Sequence, residues 1–114
     1  MSPNERERSY LVDMLQYSRE AVELISGETY ESFIKNRVKC LATERLIEII
    51  GEAANHVSAA TQQSMSKIAW SRIIGMRNKL ALDYGEILSD RIWVISNTSV
   101  RELAELLVGY GVKI

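Results

Sequence analysis

One short segment of the chain concentrates side chains that could act on a phosphate. At about 100° per residue, one helical face carries Trp70, Ile73, Ile74, Arg77, Leu80, Ala81 and Tyr84. Arg77 lies in the middle of this apolar stripe, where a guanidinium is costly unless it is paired or faces water. Tyr84 offers a hydroxyl two turns further along, and Asn78 and Lys79 add donors beside the arginine. The segment is therefore typical of a small phosphate-binding site.

Arg77 also has a purely structural interpretation. Glu44, Glu48 and Glu52 recur every four residues, and any of them could pair with a buried guanidinium. Periodicity alone leaves both interpretations open. No His or Asp cluster joins these carboxylates, which favours an exposed or ion-paired helix face over a metal site. The chain also lacks a glycine-rich phosphate loop, a nucleophile elbow and zinc-ligand spacing, so we predict no metal and no cofactor.

Four helical stretches must position this segment. They cover about residues 4–26, 29–60, 69–84 and 89–109. Gly27 is expected to end the first stretch, and the polar residues 58–67 to form a connection. Gly51 lies inside the second stretch beside Ala53 and Ala54, which predicts close approach by a neighbouring helix. The pattern predicts an all-α fold, a compact antiparallel bundle of four to five helices in a single domain, residues 1–114.

Composition limits the classes of function. The 114 residues are 46% hydrophobic and 25% charged, with a formal net charge of -1, so bulk electrostatics does not favour nucleic-acid binding. Any contact with RNA must be local, through a few well-placed cations. Cys40 is the single cysteine, so no intramolecular disulfide forms, which fits a reducing compartment. No apolar run has the length of a signal peptide or a membrane span, and we expect a cytoplasmic protein without a membrane partner.

Two motifs in order resemble the HepT-like branch of the HEPN superfamily (higher eukaryotes and prokaryotes nucleotide-binding). The first is Ile49-Ile50-Gly51-Glu52-Ala53-Ala54, and the second is Trp70-Ser71-Arg72-Ile73-Ile74-Gly75-Met76-Arg77-Asn78-Lys79-Leu80-Ala81. The resemblance covers nearly the whole chain and extends to the pairs Asp83-Tyr84 and Ile92-Trp93. It implies a homodimeric helical domain with ribonuclease activity.

The family's catalytic hallmark is an Arg, a spacer of four to six residues, a His, one further residue and a Tyr. Arg77 matches the Arg and Tyr84 matches the Tyr, but Leu82 occupies the His position. Asn78, Lys79 and Asp83 would support RNA or nucleotide binding. The only histidine, His56, lies outside the motif, and we expect it to be a packed or surface residue.

The missing histidine bears on the mechanism that the resemblance implies. HEPN ribonucleases are similar to metal-independent enzymes in which the 2′-hydroxyl of the RNA attacks the adjacent phosphate. Such chemistry needs proton transfer near neutral pH and a cation on the phosphorane oxygens. Arg77 could supply the cation, but the Leu82 side chain cannot transfer a proton. We therefore predict a weakly active or inactive ribonuclease.

The resemblance also implies partners. Two copies would form a homodimer with the Trp70–Tyr84 helix at the interface, covering its apolar stripe. A minimal nucleotidyltransferase antitoxin of a type VII toxin–antitoxin system would neutralise the toxin by transferring AMP to Tyr84, whose hydroxyl is retained. The alternative is a non-catalytic nucleotide- or substrate-binding subunit of a nucleotidyltransferase, which Leu82 favours.

Overall fold

The first helix forms where the sequence predicts it. In this computed structural model, which describes residues 3–76 and 89–114, helix α1 spans Pro3–Ile25. Its core-facing residues include Met14 and Leu15, which are fully buried. The chain turns after α1 at Gly27, whose φ of +78° is a left-handed conformation that glycine adopts without strain. The predicted role of Gly27 in ending the helix is therefore confirmed.

The other elements are helical as well. In chain order they are α2 (Tyr30–Lys35), α3 (Arg37–Asn55), α4 (Ala59–Ser64), α5 (Trp70–Gly75), α6 (Ser89–Ile95), a π-helical turn (Ser96–Val100) and α7 (Arg101–Gly109). Residues 3–76 and 89–114 contain no β-strand. The all-α prediction is confirmed.

The second predicted stretch is two helices and not one, because the backbone breaks at Asn36. This residue ends α2 with φ −97° and ψ 89°, and its side-chain oxygen accepts a hydrogen bond at 3.1 Å from the backbone amide of Lys39 in the first turn of α3. Asparagine can satisfy the exposed amides of a new helix in this way, so it permits a break without a proline. Helix α2 begins with a capping box in which Thr29 and Ser32 each bond to the backbone amide of the other.

The polar connection predicted for residues 58–67 contains a short helix, α4. Ser58 caps it, and the Ser58 hydroxyl accepts a hydrogen bond from the backbone amide of Thr61 at 3.2 Å. Glu7 of α1 holds the same turn, accepting from the Ser58 amide and, at 2.7 Å, from the Thr61 hydroxyl. The sequence pattern misses α4 because these stabilising bonds come from a residue more than fifty positions earlier in the chain.

These bonds predict how acid affects stability. The hydrogen bonds from Ser58 and then Thr61 hold the pKa of Glu7 below its ordinary value of 4.5. The folded state favours the ionised carboxylate. The contribution of Glu7 to the free energy of unfolding is therefore complete above pH 4.5 and is lost as the pH falls through the lowered pKa. We expect Glu7→Gln to lower the free energy of unfolding at pH 7 by roughly 0.5 to 1 kcal/mol. The effect is small because solvent screens the partly exposed carboxylate.

Urea denaturation of both proteins between pH 7 and pH 3 measures this effect. The difference in the free energy of unfolding between wild type and Glu7→Gln should narrow as the pH falls below 4.5. Glu20→Gln is the matched control, since Glu20 is an exposed glutamate of the same helix. A difference between wild type and Glu7→Gln that stays constant with pH would contradict the role assigned to Glu7.

Helices α1 and α3 pack antiparallel and form the centre of the bundle. Glu7, near the start of α1, bonds to Ser58 just after the end of α3. At the other end, Glu28 follows α1 and pairs with Lys39 in the first turn of α3 at 2.9 Å. The hydroxyl of Ser32 and then the ammonium of Lys39 lower the pKa of Glu28. Helices α5 and α7 pack on this pair, α5 on α3 and α7 on α1.

The last predicted helix is described from Ser89 onward and runs as α6, the π-helical turn and α7 without a break in helical structure. The π turn begins at Ser96, which is fully buried, as is Ser18 of α1. Within the part of the chain that the structure describes, neither serine hydroxyl has a hydrogen-bond partner. A π turn accommodates an extra residue in a helix, and here it packs against α1.

Candidate functional site

The residues that the sequence assigns to chemistry belong to a segment that the structure does not describe. They are Arg77, Asn78, Lys79, Leu82, Asp83 and Tyr84. What the structure does describe is the framework on both sides, α5 before the segment and α6 after it. The predicted roles of these residues therefore stay predictions.

Helix α5, which leads into the motif, is held by packing. Trp70, at its start, is only 8% exposed and donates its indole N–H to the carbonyl of Met65 at 3.1 Å. Ile73 and Met76 are also buried. The residue preceding the helix, Ala69, offers no side-chain cap, so the position of α5 depends on its apolar contacts.

The two motifs that carry the family resemblance lie against each other. A Cβ atom added to Gly51 of α3 would lie 3.3 Å from the carbonyl oxygen of Ile73 and 3.4 Å from that of Ile74. A glycine at this position lets the backbones of α3 and α5 approach closely. The close approach predicted for Gly51 is confirmed, and it fixes the start of the motif helix against the core.

The buried face of α5 corrects one expectation about the dimer. The stripe of Trp70 and Ile73 was expected to be covered by a second copy of the chain. Both side chains are instead buried within their own chain, where α5 packs on α3. A partner copy cannot cover these two residues, so the described half of the stripe contributes to the monomer core.

Large apolar side chains are exposed on a different face. The exposed side chains of Ile34 on α2 and of Val38 and Leu41 on α3 form what we call the α2–α3 apolar surface, with Val38 76% exposed. Apolar surface that is exposed and contiguous is typical of sites where proteins associate. This face is available to a second copy of the chain.

The three carboxylates of α3 have different surroundings. Glu48 pairs with Arg45 at 3.1 Å on the exposed face. Burial, and then the nearby charge of Glu48, raise the pKa of Glu44. Glu52 is exposed and takes part in an interaction of its own. An exposed, partly ion-paired face was preferred over a metal site, and the pair of Glu48 with Arg45 agrees with it. Whether a carboxylate pairs with Arg77 lies outside the described residues.

His56 has the ordinary role expected of it. It ends α3 at the surface, and its ring stacks on that of Tyr10, with centroids 4.9 Å apart and planes inclined by 18°. Stacking against a tyrosine ring gives this histidine a packing partner. The prediction of a packed or surface residue is confirmed.

A groove between α2 and α6 was not found from the sequence. It has a volume of about 490 Å³ and is lined by Tyr30, Asp90, Arg91, Trp93, Val94 and Ile95. By contrast, a cavity between α5 and α7 has only about 20 Å³, room for one water molecule. The groove is of a size that binds small molecules or parts of larger ones. No sequence signal joins its two sides, because Tyr30 and Trp93 are far apart in the chain.

The family is decided by comparison with known proteins. Residues 14–108 match the family model described as Ribonuclease HepT-like. The chain belongs to the HepT-like ribonuclease family. The match includes both motifs and the groove-lining residues of α2 and α6. No solved structure matches this HepT-like chain significantly.

Similar proteins come from a bacterium and an archaeon. The HepT-like chain is 35% identical over 99 residues to the protein named Putative RNase TTE0752 of Caldanaerobacter subterraneus subsp. tengcongensis, covering 87% of this chain and 86% of that protein. It is 27% identical over 96 residues to Putative RNase MJ1380 of Methanocaldococcus jannaschii, covering 84% and 88% respectively. These are likenesses across most of both chains.

Two further properties belong to the described residues alone. Within residues 3–76 and 89–114, no helix is both long enough and apolar enough to cross a membrane. In the same part of the chain, no three His, Cys, Asp or Glu side chains come together as metal ligands would. Cys40 is buried and donates to the carbonyl of Phe33 at 3.2 Å, which makes it a packing residue.

Proposed function

We propose that this HepT-like chain is the RNA-cleaving toxin of a toxin–antitoxin pair, with its activity impaired by Leu82. Arg77 is the phosphate clamp, and Leu82 stands where the family places the proton-transferring histidine. Asn78, Lys79 and Asp83 assist in RNA binding. The support is the match to the HepT-like ribonuclease family over residues 14–108, a range that contains all of these positions. Restoring histidine at residue 82 and measuring RNA cleavage tests the proposal.

The proposal includes a homodimer in the cytoplasm. Two motifs facing one cleft would bring the two Arg77 side chains together, and an anionic phosphate between them would relieve their repulsion. The exposed α2–α3 apolar surface, with Val38 76% exposed, supports an association of this kind, because its burial would remove apolar area from water.

Tyr84 is the proposed site of control. A minimal nucleotidyltransferase antitoxin transfers AMP from ATP to its hydroxyl and releases pyrophosphate. The phosphate of the AMP group places negative charge beside Arg77, where the RNA phosphate would otherwise bind. The hydroxyl is present in this sequence, and loss of the histidine leaves the acceptor unchanged.

Intact mass measures this modification directly. We expect the chain, co-expressed with the nucleotidyltransferase encoded beside it, to gain the mass of one or more AMP groups. Tyr84→Phe should abolish the gain, because phenylalanine has no hydroxyl to accept the nucleotide. The nucleotidyltransferase must first be shown to modify a histidine-containing relative. If the wild-type chain then stays unmodified, regulation by AMP transfer to Tyr84 is excluded.

Leu82 itself favours a second function. A chain that cannot transfer the proton could serve as a nucleotide- or substrate-binding subunit of the nucleotidyltransferase. The two functions differ in what happens when histidine is restored at residue 82. Cleavage of RNA supports the toxin, and its absence supports the binding subunit.

A further inference from the structure

The groove between α2 and α6 has the walls of a site for a flat aromatic ligand. Tyr30 and Trp93 meet edge to face, with ring centroids 6.4 Å apart and planes inclined by 69°. Tyr30 is 41% exposed, and Val94, also at the groove, is 56% exposed. Exposed aromatic faces beside an apolar wall are the features on which nucleobases stack.

The aromatic platform is rigid. Phe33, which is fully buried, packs behind Trp93 with ring centroids 5.3 Å apart. Tyr30 is the first residue of α2 and follows the capping box of Thr29 and Ser32. Glu28 ties this turn further, accepting from the Ser32 hydroxyl at 2.6 Å. A surface ordered before binding loses little conformational entropy when a ligand arrives.

The polar groups at the groove also suit a nucleotide. Asp90 and Arg91, one acidic and one basic, lie next to each other at the start of α6 and are exposed. A carboxylate can accept from the amino group of a base, and a guanidinium can approach a phosphate. An apolar peptide would use neither charge.

Chain connectivity places the groove near the motif. Asp90 is six residues after Tyr84, and six residues span at most about 20 Å, whatever path they take. An RNA strand that passes Tyr84 could therefore reach the groove.

We propose that this groove binds an unstacked base of the single-stranded RNA substrate, which stacks on the exposed ring of Tyr30 with Trp93 beside it as a wall of the groove. The inference rests on the proposed RNA-cleaving function and adds a site for a base away from the phosphate that reacts. Base stacking on an aromatic side chain tolerates any base, so the site supplies affinity and not sequence specificity.

Fluorescence anisotropy of a labelled ten-nucleotide single-stranded RNA tests the groove. We expect Tyr30→Ala to weaken binding about tenfold, because the variant removes the exposed ring on which a base stacks. Tyr30→Phe keeps the ring and should bind like wild type. Val108→Ala is the control, since Val108 is an exposed apolar residue of α7 that does not line the groove.

Four results would overturn the inference. The first is that Tyr30→Ala binds the RNA as tightly as wild type, and the second is that wild type does not bind it. The third is that AMP displaces the RNA as readily as unlabelled RNA does. The fourth is that Tyr30→Ala has a lower molar mass in solution than wild type. The third would indicate a mononucleotide site, and the fourth a protein contact.

Cleavage assays separate this inference from the proposed function. If Leu82→His cleaves RNA and adding Tyr30→Ala leaves KM unchanged, the groove is not a base site although the chain is a ribonuclease. If Leu82→His does not cleave RNA but binding still depends on Tyr30, the base site stands and the catalytic function does not. A rise in KM with unchanged kcat in the double variant supports both.

Discussion

Leu82→His is expected to increase RNA cleavage by a factor of about 100 to 10,000 over the chain with Leu82. The imidazole supplies what the leucine side chain lacks, a group that exchanges a proton near neutral pH. The remaining parts of the motif, Arg77 and Tyr84, are already present at the family's spacing. Cleavage of a mixed-sequence RNA by purified protein, followed over time, measures the effect.

Two variants control for this gain. Leu82→Ala changes the size of the side chain without adding a proton donor, so this variant should cleave RNA no faster than the chain with Leu82. Arg77→Ala in the Leu82→His protein should remove most of the gain, because the phosphorane would lose its cation. Metal chelation should leave the gain unchanged if the 2′-hydroxyl is the nucleophile. Without cleavage in a folded Leu82→His protein, the toxin proposal would fail for this chain.

Gly51→Val is expected to have the largest effect on stability. The added Cβ would lie 3.3 Å from the carbonyl oxygen of Ile73, and the two methyl groups beyond it have no free space between α3 and α5. Overpacking of this kind costs about 2 to 3 kcal/mol, because backbone and not a flexible side chain must move. Urea denaturation measures the loss.

Gly109→Val is the matched control for that experiment. Gly109 ends α7, and a Cβ atom added there would have no neighbour within 4 Å. We expect this variant to keep the stability of wild type within about 0.5 kcal/mol. Equal stability of the two valine variants would show that α3 and α5 do not approach as closely as described.

The sequence by itself determined the helical class and the family. Spacing of apolar residues predicted helical structure wherever the structure describes those four stretches, although the second is broken at Asn36, since this signal is local and repeats with each helical turn. Gly27 was correctly placed at a helix end and Gly51 at a close contact. The order of the two motifs identified the HepT-like family. Leu82 at the position of the catalytic histidine can be read only from the sequence.

Individual side-chain hydrogen bonds produce the two features that the apolar periodicity did not predict. The break at Asn36 depends on one amide side chain that caps α3, and an uninterrupted apolar stripe conceals it. Helix α4 is also held by Glu7, a residue more than fifty positions earlier in the chain. Such bonds do not repeat along the chain, so no period reveals them.

The tertiary structure alone decided which faces meet. Trp70 and Ile73 could have been core or interface by their spacing, and the packing of α5 on α3 placed them in the core. Tyr30 and Trp93 form one groove because α2 and α6 lie side by side. A helical pattern fixes the direction of each side chain from its own axis, but the pairing of helices depends on contacts between residues distant in sequence.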